Sequence, residues 1–80
     1  MKARIYVTLK NGVLDPQGKA VQRSLSHLGM DGVQDVRVGK YMEVVLADMP
    51  KDEASKLLED ACRRLIANTV IENYRFEIDG

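Results

Sequence analysis

Residues 12–19 have the composition of a loop that could hold a phosphate group. Glycine and lysine just before a helix are typical of loops whose backbone N–H groups bind phosphate. A Walker A loop needs four residues between its glycines and Ser or Thr after its Lys, but five residues separate Gly12 from Gly18, and alanine follows the lysine. A carboxylate at Asp15 would also repel the phosphate. We therefore predict a capped turn, with Asp15 as the helix N-cap and Pro16 as the first helical residue.

The other chemically capable side chains lack the spacing of a catalytic or metal site. His27 is the only histidine, and no nucleophile is patterned near it. Cys62 is the only cysteine and lies on the apolar face of a predicted helix, where a buried thiol is inert. The carboxylates of that helix alternate with basic residues, as on a solvated face. We expect no catalytic site, no metal and no cofactor.

The composition limits the class of protein. Twelve basic residues balance twelve acidic ones, so no electric field attracts nucleic acid or an anionic membrane. No apolar run approaches the roughly twenty residues of a membrane span, and a lone thiol is typical of the reducing cytoplasm. The sequence predicts a cytoplasmic protein that binds neither nucleic acid nor membrane. An 80-residue chain also has a small core, so we expect stabilisation by oligomerisation.

Hydrophobic periodicity predicts six elements in the order βαββαβ. The elements are strand 2–10, helix 16–28, strands 33–38 and 41–47, helix 51–67 and strand 69–78. Gly39 and Lys40 separate the middle strands, a spacing typical of a tight hairpin. This order predicts a ferredoxin-like α+β fold, a four-stranded antiparallel sheet with both helices on one face. The first and third strands would then be central, and the charged second and fourth strands would be edges.

The sheet face opposite the helices is less polar than a solvated face. Alternation places Tyr6, Thr8 and Val45 on this face, with Tyr41 beside them. An apolar outer face on a domain with a small core indicates burial by a second copy or by a partner.

The predicted fold is shared by several functional classes. An RNA-recognition module would need aromatic residues on the third strand, where Glu43 and Val45 stand. A metallochaperone would need a Cys-x-x-Cys motif after the first strand, and an acylphosphatase-like enzyme would need an arginine there. The first loop has neither. A regulatory domain of the ACT type, which senses small molecules through backbone groups, remains an alternative.

Three stretches of this chain are distinctive, namely Val7–Val21 (VTLKNGVLDPQGKAV), Val33–Glu43 (VQDVRVGKYME) and Leu65–Tyr74 (LIANTVIENY). They resemble the PurS family, the small subunit of phosphoribosylformylglycinamidine synthase. The resemblance covers nearly the whole chain and implies a single PurS-like domain over residues 1–80.

The resemblance implies an accessory role in purine biosynthesis. The large synthetase subunit performs the ATP-dependent chemistry and a glutaminase subunit supplies ammonia, while the small subunit, without a catalytic site, assembles them. It also implies an intertwined ferredoxin-like homodimer, or a tetramer. The residues expected to contact partners are Gly12, Val13, Leu14, Asp15, Pro16, Gln17 and Gly18 in the first loop, Gly39, Lys40 and Tyr41 at the hairpin, and Asn68, Thr69, Glu72 and Tyr74 around the last strand.

Overall fold

The computed structural model describes residues 1–79 and shows an α+β fold of three strands and two helices. The elements are β1 (Lys2–Leu9), α1 (Pro16–His27), β2 (Lys40–Val45), α2 (Lys51–Ala61), which continues as a π-helical turn over Cys62–Ile66, and β3 (Glu72–Asp79). The sheet is antiparallel, with β1 between β2 and β3. No helix within residues 1–79 has the length and apolar character that a membrane crossing requires.

The core lies between the sheet and α2. Because side chains alternate along a strand, Ala3, Ile5 and Val7 of β1 share one face, and all three are fully buried. They pack against Leu58 and Cys62, which confirms the predicted core position of the thiol. Burial, and secondly the nearby Glu59, raise the pKa of the Cys62 thiol. The partly buried side chains around this layer include Met42, Val44, Leu46, Tyr74, Phe76 and Ile78.

The first helix has the predicted ends but does not cover the sheet. Asp15 caps its N-terminus, and Gly29, with a φ of +88°, follows its C-terminus in the left-handed conformation that favours glycine. Gly18 is the only buried residue of α1. The prediction that both helices cover one sheet face is therefore wrong for the single chain, because only α2 packs there.

The predicted strand at 33–38 does not form within the described residues. Its backbone groups bond to α1 and to the cap of that helix: Val38 donates to Asp15 Oδ2 at 2.7 Å, and Gln34 O accepts from Gln22 Nε2 at 2.7 Å. The sheet has three strands rather than four, the hairpin at 39–40 is absent, and Lys40 lies opposite Val7. Consequently β2, predicted to be central, is an edge strand.

We call residues 16–38 the arm. The radius of gyration is 16.2 Å, against about 12 Å for a compact domain of this length. The principal extents of 49 × 25 × 14 Å also describe an elongated molecule. The arm lengthens the chain instead of adding to its core.

The second helix ends differently from the prediction. Ala67 N donates to Cys62 O at 2.9 Å, which closes a π-helical turn five residues long. Asn68 is not the predicted left-handed cap, because no residue other than glycine has a positive φ within residues 1–79. Its carbonyl accepts from Ile71 and Glu72, at 3.0 and 2.7 Å. This turn delays the last strand from residue 69 to residue 72.

Candidate functional site

Three segments that are distant in sequence meet where β1 ends and β3 begins. Lys10 N donates to Ile71 O at 2.8 Å, which joins the first loop to the turn before β3. Val38, just before β2, is bonded to Asp15 of the same loop. We call this region the loop end, and it consists of residues 9–18, 38–40 and 68–72.

An open cleft of about 390 Å³ lies within the loop end. Eight of the predicted partner-contact residues line it, namely Val13, Leu14, Asp15, Pro16, Gln17, Gly39, Lys40 and Glu72. Leu9, Val38 and Ile71 also line it. These three are not among the predicted contacts, but each has a neighbour in the sequence that could have indicated it. Val38 precedes Gly39, Ile71 precedes Glu72, and Leu9 is the last residue of β1 before the first loop. The cleft is mainly apolar with a few polar groups, a composition typical of binding sites.

Asp15 ties the two ends of the arm together. Its Oδ1 accepts from Gly18 N at 2.8 Å and its Oδ2 accepts from Val38 N at 2.7 Å. The side chain is buried, with 4% of the residue exposed. The backbone N–H of Val38, and then that of Gly18, hold the pKa of the Asp15 carboxyl below its usual value. A carboxylate that accepts two backbone N–H groups favours its charged form.

The side chain of Arg37 also holds the first loop in place. Its guanidinium donates to Val13 O at 2.9 Å and to Lys10 O at 3.1 Å. Val13 N also donates to Lys10 O, at 3.2 Å. Gly12 lies inside this turn with a φ of +87°, a conformation that costs glycine little and other residues more. The predicted turn is thus a tightly bonded structure.

Glu72 and Asn68 order the turn before β3. Glu72 Oε1 accepts from Asn68 N at 2.7 Å, and Asn68 Oδ1 accepts from Val70 N at 3.2 Å. Lys40 Nζ lies 3.8 Å from Glu72 Oε2. Asn68 and the exposed Thr69 therefore lie beside the cleft, in the turn that leads to the lining residues Ile71 and Glu72.

Two exposed apolar side chains project from these ordered turns. Leu14 is 71% exposed in the first loop, and Val70 is 81% exposed in the turn before β3. Both turns are held by backbone and side-chain hydrogen bonds, so the apolar groups are presented on a fixed frame. Leu14 also lines the cleft, and exposed apolar groups around a cleft are typical of a protein-binding surface.

The structure separates Tyr41 and Tyr74 from the other predicted contacts. Tyr41 lies on the outer sheet face, with its ring centroid 5.3 Å from that of Tyr6. Tyr74 lies on the α2 side and donates its hydroxyl to Glu59 Oε1 at 2.5 Å. This hydrogen bond is the main cause of the raised pKa of Tyr74. Neither tyrosine lines the cleft.

The outer sheet face is held together by charge pairs across its strands. Arg4 of β1 lies 2.8 Å from Asp79 of β3, and Lys2 lies 2.7 Å from Glu43 of β2. Arg75 stacks over the ring of Tyr6 at 3.9 Å. Tyr6 and Tyr41 share this face, as alternation predicted, but the face is more polar than expected because its strands carry paired ions.

The loop end offers groups that can bind another surface. Within residues 1–79, no three His, Cys, Asp or Glu side chains are grouped closely enough to hold a metal ion. The cleft presents apolar side chains beside the ion pair of Lys40 and Glu72, and the buried carboxylate of Asp15 is bonded to backbone. This combination suits contact with another protein surface.

Comparison with known proteins gives a consistent family. The family profile described as PurS, phosphoribosylformylglycinamidine (FGAM) synthase, matches residues 2–80. The chain is 57% identical over 75 residues to the PurS subunit of this synthase from Synechocystis sp. PCC 6803, covering 94% of this chain and 75% of that relative.

Solved structures of the family have the same fold. Bacillus subtilis PurS superposes with a TM-score of 0.88 at 48% identity, over 99% of this chain and 98% of that one. A chain of PurLQS from Thermotoga maritima superposes with a TM-score of 0.86 at 29% identity, over 95% and 93%. The chain therefore belongs to the PurS family and is an accessory subunit of phosphoribosylformylglycinamidine synthase in purine biosynthesis.

Proposed function

We propose that this chain docks the glutaminase subunit to the ATP-dependent synthetase subunit, so that ammonia from glutamine is used for amidation. The main observation behind the proposal is that three segments of the chain meet at the loop end. Signature residues from 9–18, 38–40 and 68–72, far apart in sequence, surround one apolar cleft. A rigid apolar surface that its own chain leaves open fits a docking role.

The proposed contact surface is the cleft with its neighbours in the loop end. It comprises Gly12 to Gly18, Gly39, Lys40, Asn68, Thr69 and Glu72. Tyr41 and Tyr74 are left out of this surface, since neither lines the cleft. A homologous chain in PurLQS of Thermotoga maritima supports a partner of this kind. We place the protein in the cytoplasm, with the rest of the complex.

A variant of the exposed Leu14 tests the docking surface. Leu14→Ala removes a 71% exposed side chain, so the fold should be unaffected. Truncation of a central apolar contact weakens binding by roughly tenfold or more. The assembly of this chain with the synthetase and glutaminase subunits would be followed by sedimentation velocity over a concentration series. Val45→Ala is the matched control, because Val45 is 83% exposed on the outer face. Equal assembly by Leu14→Ala and by the unmodified chain would contradict the proposed surface.

We also propose that two copies exchange their arms in an intertwined homodimer, with pairing of two dimers as the route to a tetramer. Apolar side chains of the arm lack cover, since Val21 is 42% exposed and Leu28 72% exposed. On the sheet, Met42 and Val44 of β2 are only partly buried. Burying these two surfaces against each other would supply the core that a single chain lacks.

Backbone and charge support the same exchange. Strand β2 has one neighbour, so its outer edge is open, and residues 33–38 of a second copy have the strand pattern to fill it. That addition would complete the four-stranded ferredoxin-like sheet. Lys19 and Arg23 of α1 form no ion pair within residues 1–79, and neither do Asp52 and Glu53 of α2. Opposite charges on the two surfaces favour their contact.

A further inference from the structure

The arm is anchored to the sheet both where it leaves and where it returns. On the outgoing side, Lys10 N donates to Ile71 O at 2.8 Å. On the returning side, a Cβ added to Gly39 would lie 2.6 Å from the carbonyl oxygen of Val7, so only glycine lets the chain pass so close to β1. We call the segments at these two anchors the root of the arm: residues 10–15 and 37–39.

Side chains join the two segments of the root to each other. Arg37 of the returning segment donates to Lys10 O at 3.1 Å and to Val13 O at 2.9 Å. Asp15 of the outgoing segment accepts from Val38 N at 2.7 Å. Each of these hydrogen bonds has one charged partner, which makes it stronger than a bond between neutral groups. A rotation of the arm about its root would have to break them.

Arg37 is suited to this position by the shape of its guanidinium group. The planar group carries five N–H donors in a fixed fork, so one side chain can donate to two carbonyl oxygens at once. Here the two carbonyls belong to a single turn, since Val13 N donates to Lys10 O at 3.2 Å. Within residues 1–79, Arg37 forms no ion pair with a carboxylate, so the guanidinium is not drawn elsewhere.

Burial of apolar groups does not by itself decide which sheet the arm covers. The hydrophobic effect is non-directional, so an arm folded back on its own sheet would bury the same kinds of groups as an exchanged arm. Folding back also avoids the loss of translational and rotational freedom that association costs. Yet the chain is 49 Å long, and Gly18 is the only buried residue of α1. The arm therefore points away from its own sheet, and the bonds at its root oppose its return.

We infer that Arg37 is a positioning residue, which holds the arm open so that it covers the sheet of a second copy instead of its own. The direction of the arm is then set before two chains meet, and association orders less of each chain. Without the guanidinium the arm would also fold back, and only the open fraction of chains could exchange. This inference rests on the proposed exchange and adds the residue that decides between exchange and closure.

Three variants of the full chain separate this role from a general loss of stability. Arg37→Ala removes the donors, and Arg37→Lys keeps the charge but offers a single ammonium in place of the fork. Arg64→Ala is the matched control, since Arg64 is 77% exposed and, within residues 1–79, pairs only with Asp60, four residues earlier. Thermal unfolding checks that each variant folds, and Arg37→Lys carries the test if Arg37→Ala does not.

Fluorescence energy transfer within single chains reports the direction of the arm. Ser26→Cys, near the end of α1, and Ala47→Cys, two residues after β2, supply exposed labelling positions, whereas Cys62 is fully buried. Strand β2 starts at the loop end, so Ala47 lies toward the other end of the sheet. An open arm keeps the two dyes far apart, and a folded-back arm brings them together. Each variant is measured below the dissociation constant that sedimentation equilibrium gives for it, so that single chains are observed.

We expect one low-transfer population for the chain that keeps Arg37 and for Arg64→Ala. Arg37→Ala should add a high-transfer population, and Arg37→Lys should lie between the two. If about a third of the chains stay open, the dissociation constant of the homomer rises roughly tenfold, because both partners must be open.

A single low-transfer population in Arg37→Ala would show that the arm stays open without the guanidinium, and would overturn the inference. A high-transfer population in the chain that keeps Arg37 would overturn it as well. If the transfer changes as expected but the unmodified chain is a 9.0 kDa species at micromolar concentration, the exchange is wrong although Arg37 holds the arm open.

Discussion

Asp15 connects local chain geometry to the shape of the whole arm. As an N-cap it satisfies the N–H of Gly18, an ordinary role for aspartate at a helix start. Its second oxygen reaches Val38, twenty-three residues later. One buried side chain thus holds both the beginning and the end of the arm beside the cleft.

Replacing Asp15 should destabilise the protein in a pH-dependent way. Asn keeps one acceptor but turns an amide N–H₂ toward the second backbone donor, so we expect Asp15→Asn to lower Tm by roughly 5 °C at pH 7. The folded pKa of Asp15 lies below its ordinary value of 3.8. The stabilisation it gives is therefore complete above that value and is lost as the pH falls through the folded pKa.

The measurement is thermal unfolding of the two proteins followed by circular dichroism from pH 7 down to about pH 2. The difference in Tm between them should shrink at the acidic end. Taking the difference removes the contributions of Glu43 and Glu77, whose carboxyl pKa values are also lowered. Asp35→Asn is the control, since Asp35 is exposed and, among residues 1–79, accepts only from the neighbouring Val36 N. A Tm difference that stays constant over this pH range would contradict the role given to the Asp15 carboxylate.

Features that depend on neighbouring residues alone, such as the start of the first helix, could be predicted from the sequence. The cap at Asp15 and the helix start at Pro16 follow from the side chain and its immediate neighbours, and both are confirmed. The bond from Asp15 to Val38 could not be predicted, because nothing in either residue specifies a partner so far along the chain. The family resemblance counts Tyr41, at the hairpin, and Tyr74, on the last strand, among the partner contacts. Strand alternation alone puts them on opposite faces of the sheet.

At the element scale, the contact between α1 and residues 33–38 depends on a missing side chain. A Cβ placed on Gly18 would lie 2.0 Å from the carbonyl oxygen of Val36. Such an approach is far shorter than any real contact, and the obstacle is backbone, which cannot rotate aside. Glycine at this position lets the extended segment lie directly on the first turn of the helix.

Gly18→Ala should therefore separate the two halves of the arm. We expect a lower Tm than for the unmodified protein, together with faster hydrogen exchange of the Val38 amide, as its bond to Asp15 loosens. Gly32→Ala is the matched control, because its Cβ would meet nothing within 4 Å and its φ is not positive. That change should be neutral or slightly stabilising. Protection of the Val38 amide in Gly18→Ala equal to that in Gly32→Ala would show that the close approach is unimportant.

Most helices and strands could be predicted, because the spacing of their apolar residues reflects burial against other segments of the same chain. Every second side chain of β1 faces α2. Both helices begin within a residue of their predicted starts. Residues 33–38 have an equally good strand pattern, yet in the single chain they lie along α1. Periodicity indicates that a segment prefers to pair, but it does not say which edge, or which copy, supplies the partner.

At the scale of the whole molecule, the arm is the main departure from a compact domain. In the proposed exchange, the apolar groups of the arm would cover the half-buried sheet of a second copy. The radius of gyration of 16.2 Å would then describe half of a compact dimer. The proposed exchange would account both for the small core expected from 80 residues and for the long shape of the chain.

A charge on the apolar side of the arm should dissociate the homomer. Leu28 follows α1 and is 72% exposed in the single chain, so Leu28→Asp costs that chain little but would bury a carboxylate between copies. We expect the dissociation constant to rise at least tenfold, measured by sedimentation equilibrium. Ser26→Asp puts the same charge on an exposed residue at the same helix end and should leave association unchanged. A 9.0 kDa species for the unmodified chain at micromolar concentration would contradict the exchange.

If this subunit couples glutamine use to the synthetase, as we propose, turnover of the reconstituted complex must depend on it. The purified synthetase and glutaminase subunits would be assayed with and without this chain, using glutamine in one series and ammonium chloride in the other. Addition of the chain should restore glutamine-dependent amidation and change ammonia-dependent amidation much less. Identical glutamine-dependent turnover with and without the chain would contradict the claim.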